Sequence, residues 1–200
     1  MASASVSDIV DHYEKNYRRG AHLELDYFRR QPSLEDAVSR AAVARIQGTK
    51  LPHQWRLKDQ VLQQSRARLL DNITVLRRAK SFDDLHDVVG AVIGSLPGIG
   101  PLTVYDTTLR IGAYRGLLPT RIYLHAGTRI GAKRLGLPWK QRTIETATLP
   151  QALRRLPAHE AEDVLCIYKD QFGAGSHPAV EDSNKCASHA RQVKHGACSL

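Results

Sequence analysis

The run Leu96-Pro97-Gly98-Ile99-Gly100-Pro101 constrains the fold more than any other stretch of this 200-residue chain. Two prolines and two glycines in six residues forbid a continuous helix, because proline lacks the N–H that a helix interior needs and glycine opens backbone angles that turn the chain. A strong helical signal precedes the run. Ser81 has the character of an N-cap with Asp84 three residues on, and Phe82, Leu85, Val88, Val89, Val92 and Ile93 recur at helical spacing. After the run, Pro101 suits a first helical turn and residues 102–111 supply the body of a second helix. The order is helix, tight glycine turn, helix.

The remaining chain also reads as helical. Ile9, Val10, Tyr13 and Tyr17 mark a helix over residues 8–19 with Gly20 as its stop. Ser33, with Glu35 and Asp36 behind it, opens a second helix that runs to about residue 46, and Gly48 ends it. A third spans about 55–71. Six glycines and prolines punctuate residues 112–136, which predicts a loop, a short extended piece at 121–124 and a helix over 128–135. Pro150 starts a short helix that Pro157 breaks, and Ala161, Val164, Leu165 and Tyr168 mark a last one over 158–172. No sustained alternation calls for a sheet. The expected fold is mainly α: a compact helical domain over residues 1–172, with the helix-turn-helix core at about 82–111 and a basic segment at 107–155. Residues 173–200 are rich in Gly, Ser, His and Lys without an apolar stripe, and read as a flexible tail.

Charge is unevenly spread. The formal net charge is +9, yet residues 1–90 carry fifteen Lys and Arg against twelve Asp and Glu, and residues 156–200 carry four against six. Residues 91–155 carry ten against two. Such a basic segment is the expected footprint of a phosphate-bearing partner, since each neutralised phosphate releases condensed counterions; a solvated basic face is the alternative. No run approaches the roughly 18 apolar residues of a membrane span, and the start Met-Ala-Ser-Ala-Ser lacks the features of a secretory signal. A cytoplasmic protein, nucleoid-associated if bacterial, is expected, with no membrane partner. Three cysteines, an odd and small set, argue against a disulfide framework and for free thiols, and no cofactor is expected.

The turn has its own chemistry. Gly98 and Gly100 have no Cβ to block close approach, and the helix beginning at Leu102 and Thr103 offers unpaired N–H groups and a partial positive charge. Ile99 points inward. Set between two apolar helices, Leu-Pro-Gly-Ile-Gly resembles the helix-hairpin-helix family of DNA-binding modules. That resemblance implies phosphate-backbone contact from Gly98, Gly100 and the helix start, without sequence reading, and double-stranded DNA as partner. It extends to the helix-hairpin-helix base-excision glycosylases through Arg134-Leu135-Gly136. The chemistry does not carry over: Leu102 stands where the bifunctional members have a nucleophilic lysine, and Leu124-His125 where the catalytic aspartate belongs. No aspartate lies between Asp106 and Glu145, and no four-cysteine cluster run is present. Non-sequence-specific DNA binding is therefore the leading expectation; a divergent base-excision enzyme and a helical protein-interaction module are the alternatives.

Arg110, Arg115, Arg121, Arg129, Lys133 and Arg134 are the candidate phosphate clamps, with surface solubility as the other reading of each. His125, preceding a glycine and a helix start, is a candidate acid or base, or else a satisfied buried side chain. Tyr105 and Asp106 stand just past the turn and complete the candidate catalytic set; Asp106 can instead pair with Arg110 at i, i+4. Glu162, Cys166 and Lys169 share one helix face, where Cys166 reads as buried packing. In the tail, Cys186, His189, His195 and Cys198 form a ligand set that zinc accepts chemically at a spacing typical of no zinc motif, against incidental tail residues.

Overall fold

Three serines set helix starts in the computed structural model, which describes residues 5–173. The hydroxyls of Ser5, Ser33 and Ser81 accept from the backbone N–H of Asp8, Asp36 and Asp84 at 3.2, 3.0 and 3.0 Å, which satisfies donors that a helix start otherwise leaves open. They open α1 (Val6–Asn16), α3 (Leu34–Val43) and α6 (Phe82–Ile93). The mainly α expectation holds.

Gly20 does not stop a helix. The break comes at Tyr17, and α2 (Arg18–Arg29) runs straight through Gly20, where a side chain would meet nothing within 4 Å. The reason lies in packing: α1 buries Ile9, Val10 and Tyr13 in one apolar cluster and α2 buries Leu25 and Phe28 in another, so the chain must change direction between them. After α3, Ala44 and Gln47 take positive φ and close a two-stranded hairpin of β1 (Arg45–Ile46) and β2 (Thr49–Lys50). A short 3-10 turn (Pro52–Gln54) precedes α4 (Asp59–Asp71), which starts four residues later than its spacing suggests, and α5 (Ile73–Arg78) follows.

Then comes the glycine turn. Leu96 and Ile99 are buried, and Ile99 N–H bonds the Leu96 carbonyl at 3.0 Å, so the turn is pinned inward by its apolar residues. Gly98 sits at φ +86°, a region only glycine enters cheaply. α7 (Pro101–Arg115) runs past Gly112, which lies too close to the Leu117 carbonyl for any side chain, and ends at left-handed Gly116.

The extended piece is real and has a partner. β3 (Arg121–Tyr123) pairs antiparallel with β4 (Thr143–Glu145), so a second small sheet exists where alternation was too short to announce it. Between them lies α8 (Ala126–Arg134); α9 (Gln151–Arg154) and α10 (Ala158–Ile167) complete the described chain. The helices from α2 to α7 enclose one apolar cluster, while α1, the β3–β4 pair, α8, α9 and α10 enclose another. Phe82, Tyr105 and Tyr123 bridge them. The first helix thus belongs with the last: Tyr13 donates to Asp163 at 2.8 Å, and His12 bonds Tyr168 at 2.7 Å.

Candidate functional site

Where the two clusters meet, a cleft of about 350 Å³ opens beside the glycine turn. Ile99, Gly100 and Pro101 form one side, Tyr105 and His125 the floor, and His86, Tyr123, Arg129 and Arg142 the opposite side. The aromatic walls are packed against each other: the rings of His86 and Tyr123 lie 4.5 Å apart, and Phe82 stands 5.2 Å from Tyr123. Arg142 links this wall to α6 through 2.8 Å to His86 Nδ1 and an ion pair with Asp87.

At the lip of the cleft, α7 begins on Gly100 in extended conformation with no side-chain cap. The N–H groups of Gly98, Gly100, Leu102 and Thr103 meet no acceptor among the described residues. Pro101 has no N–H to offer. Four open donors and the positive end of a 15-residue helix therefore fall within one glycine-lined turn. Thr103 is buried, so its N–H lies under the lip rather than on the open surface.

The cleft floor is electrostatically shaped. His125 is buried, and its Nε2 is hydrogen-bonded to Glu162 Oε1 of α10; its own N–H donates to Thr128 Oγ1 at 2.8 Å. Burial pushes the Glu162 carboxyl up, and the hydrogen bond to His125 pulls against it. Burial first, then Glu162, raises the Tyr105 phenol well above its ordinary range. Burial and the Arg142 guanidinium bring His86 down to about 4, so at neutral pH it is an uncharged acceptor for Arg142. Asp106 belongs elsewhere. Burial would raise its carboxyl, but His53 at 2.9 Å, Arg110 and Gln54 hold it at about 2. It is the anion of an interior network and does not line the cleft.

The candidate clamps divide sharply. Arg110 is not a surface cation: it is 4% exposed, pairs with Glu24 at 2.9 Å, approaches Asp106 at 3.9 Å and donates to Gln54 at 3.2 Å. Its i, i+4 pairing with Asp106 is the reading that holds. Arg115 donates to the carbonyls of Leu76 and Ala79 at the end of α5, a structural tie that occupies its guanidinium. Arg121 pairs with Asp83 and Glu145, and Arg134 with Asp170 and the Lys169 carbonyl. Arg129 lines the cleft while donating to the Trp139 carbonyl at 2.7 Å. Lys133 and Lys140 stand 5.2 and 5.5 Å from the Trp139 ring, so two cations flank one indole while Arg129 holds its backbone carbonyl. Of the central basic excess, then, Arg129, Lys133 and Lys140 form a cluster, and most other members are already paired. Cys186, His189, His195 and Cys198 lie outside the described residues.

Sequence reasoning missed three residues of this neighbourhood, and named Glu162 only for its helix face with Cys166, not as the partner of His125. Arg68 of α4 reaches Ser95 Oγ at 3.1 Å, beside the turn, and Arg142 and His86 line the cleft. Arg68 lies on a helix of mixed charge and His86 on one whose charged residues are all acidic, and only the fold singles them out. Comparison with protein-family models, with curated proteins and with solved structures finds no match to this chain.

Proposed function

We propose that this chain holds nucleic acid, double-stranded DNA first, through the phosphate backbone at the Leu96–Gly100 turn, as a helix-hairpin-helix module does. One observation carries the reading: the four open N–H groups at the start of α7, on a turn whose glycines let a phosphate approach. Arg68, Arg129, Lys133 and Lys140 provide positive charge within the same region. This mode fixes position on a backbone and reads no bases. No helix among the described residues is long and apolar enough to cross a membrane, and the reading expects such a partner to be met in the cytoplasm or nucleoid.

The test is a salt-titrated binding assay across single-stranded, duplex, abasic and junction DNA. The reading expects log K to fall linearly with log salt, by roughly 0.9 per neutralised phosphate, with little sequence preference. Salt-insensitive or undetectable binding to all four favours the protein-interaction alternative.

One observation favours a second reading, an enzyme acting on nucleic acid. His125, bonded to the buried Glu162 behind it, lines a cleft that opens directly beside the proposed phosphate site, which is where an acid or base serving a held strand belongs. Base release or strand cleavage by the wild type, lost in His125→Ala with binding retained, is its signature.

A further inference from the structure

Behind the cleft floor, α8 and α10 bring an imidazole, a carboxylate and a thiol together. One ligand atom from each of His125, Glu162 and Cys166 lies within 4.8 Å of the other two. The sequence sets this up simply. His125 is the residue before α8, and Glu162 and Cys166 stand one turn apart on α10, so both face the start of α8. Gly127 makes the approach possible. A methyl group on it would stand 2.6 Å from Cys166 Sγ and 3.6 Å from His125 Cε1, so thiol and imidazole flank the space that a side chain would take.

Charge and hydrogen bonding point the same way. Neither Glu162 nor Asp163 has a lysine or arginine within ion-pair distance among the described residues; their partners are His125 and Tyr13. Two neighbouring carboxylates thus face inward without a strong base, an arrangement that costs free energy unless something positive offsets it. A neighbouring group is unsatisfied. Tyr105 Oη is buried with no hydrogen-bond partner among the described residues, in a ring 6.3 Å from that of His125.

We propose that His125, Glu162 and Cys166 hold a divalent cation of the zinc type between α8 and α10. The donor set is one nitrogen, one oxygen and one sulfur, which suits zinc and is too soft for magnesium or calcium. Binding requires a free imidazole nitrogen and a carboxylate and releases the thiol proton of Cys166, and the resulting carboxylate, thiolate and M²⁺ sum to zero charge. Three protein ligands leave a fourth position for water, and Cys166 is partly exposed. This site does not depend on the nucleic-acid reading. It does compete with the catalytic one, because a bound cation takes the Nε2 lone pair of His125.

The experiment uses the full-length, tag-free chain carrying Cys186→Ser and Cys198→Ser, so that Cys166 is the only thiol and the tail cysteines cannot contribute. Titration with Co²⁺ is expected to give one equivalent of binding with a thiolate-to-cobalt charge-transfer band, displaced by Zn²⁺. Zn²⁺ is expected to raise Tm of the same protein. Glu162→Gln, which keeps the side-chain shape, and Cys166→Ser are each expected to weaken Zn²⁺ binding by about a hundredfold or more, beyond the 10- to 100-fold seen for outer partners alone. Absence of the charge-transfer band, or Zn²⁺ affinity unchanged in Glu162→Gln, overturns the proposal. Circular dichroism checks the fold of each variant.

Discussion

Leu57 packs against the turn at Gly98, where an added methyl group would stand 3.2 Å from Leu57 Cδ2. The segment after the 3-10 turn therefore supports the tip of the turn, while Gly98 itself holds φ +86°. Gly98→Ala combines left-handed strain with this contact and is expected to lower stability by about 1–2 kcal/mol in urea denaturation. Gly100 differs. Its extended backbone has open space around it, so Gly100→Ala is expected to leave stability near that of the wild type.

Arg110→Met is expected to cost about 3 kcal/mol or more, because it leaves Glu24 and Asp106 without their shared cation. Nucleic-acid affinity of the folded fraction is expected to stay unchanged, since the guanidinium is sealed from solvent. Thermal unfolding and a binding assay on the same preparation separate a core role from a clamp.

Helices α8 and α10 cross at two glycines. A methyl on Gly131 would stand 2.2 Å from the Leu165 carbonyl oxygen, backbone against backbone, whereas one on Gly127 meets the Cys166 thiol at 2.6 Å. Overpacking of this kind costs about 1–3 kcal/mol. Gly127→Ala is expected to regain much of its loss when combined with Cys166→Ala, and Gly131→Ala has no such rescue. A double-mutant cycle measures the difference.

The pH dependence has two limbs. His86 is held neutral, down to about 4 against 6.5 unfolded, so the stability it gives is present above pH 6.5 and is lost as pH falls toward 4. His86→Gln is expected to flatten that fall. Burial and Glu162 push the Asp163 carboxyl well above the usual range, so its contribution is complete below about pH 4 and is lost as pH rises toward its folded value. Asp163→Asn is expected to gain stability over the wild type above about pH 4, by an increment that grows with pH until the folded carboxyl ionises. Denaturation midpoints across pH 4 to 8 test both signs.

Local signals in the sequence were strong where one residue type settles the backbone. Ser81 and Asp84 mark the start of α6, the Gly-Pro run marks the turn, and Gly98 does take the angle only glycine accepts cheaply. Arg121 to Tyr123 show as an extended piece, yet their partner β4 lies twenty residues on and carries no signal that it pairs. The site was legible only in fragments. Tyr105 and His125 do share a cleft, but Asp106 turns away from it into a network with His53 and Arg110, because an aspartate one residue after Tyr105 points along a different side of α7. Basic charge was visible as a segment average, and the average hides pairing. Glu24, Asp83 and Asp170 come from distant segments to neutralise Arg110, Arg121 and Arg134.

The most direct measurement compares duplex binding by the wild type and Gly100→Asp over a range of salt concentrations. Gly100 is the N-cap of α7, so an aspartate there caps the helix and is expected to raise stability by a few tenths of a kcal/mol, while its carboxylate occupies and repels from the phosphate site. The account predicts a folded, slightly more stable protein that binds duplex DNA about tenfold or more weakly, with a shallower salt slope. Equal affinity and an equal slope in the two proteins would contradict the claim that this turn holds the backbone.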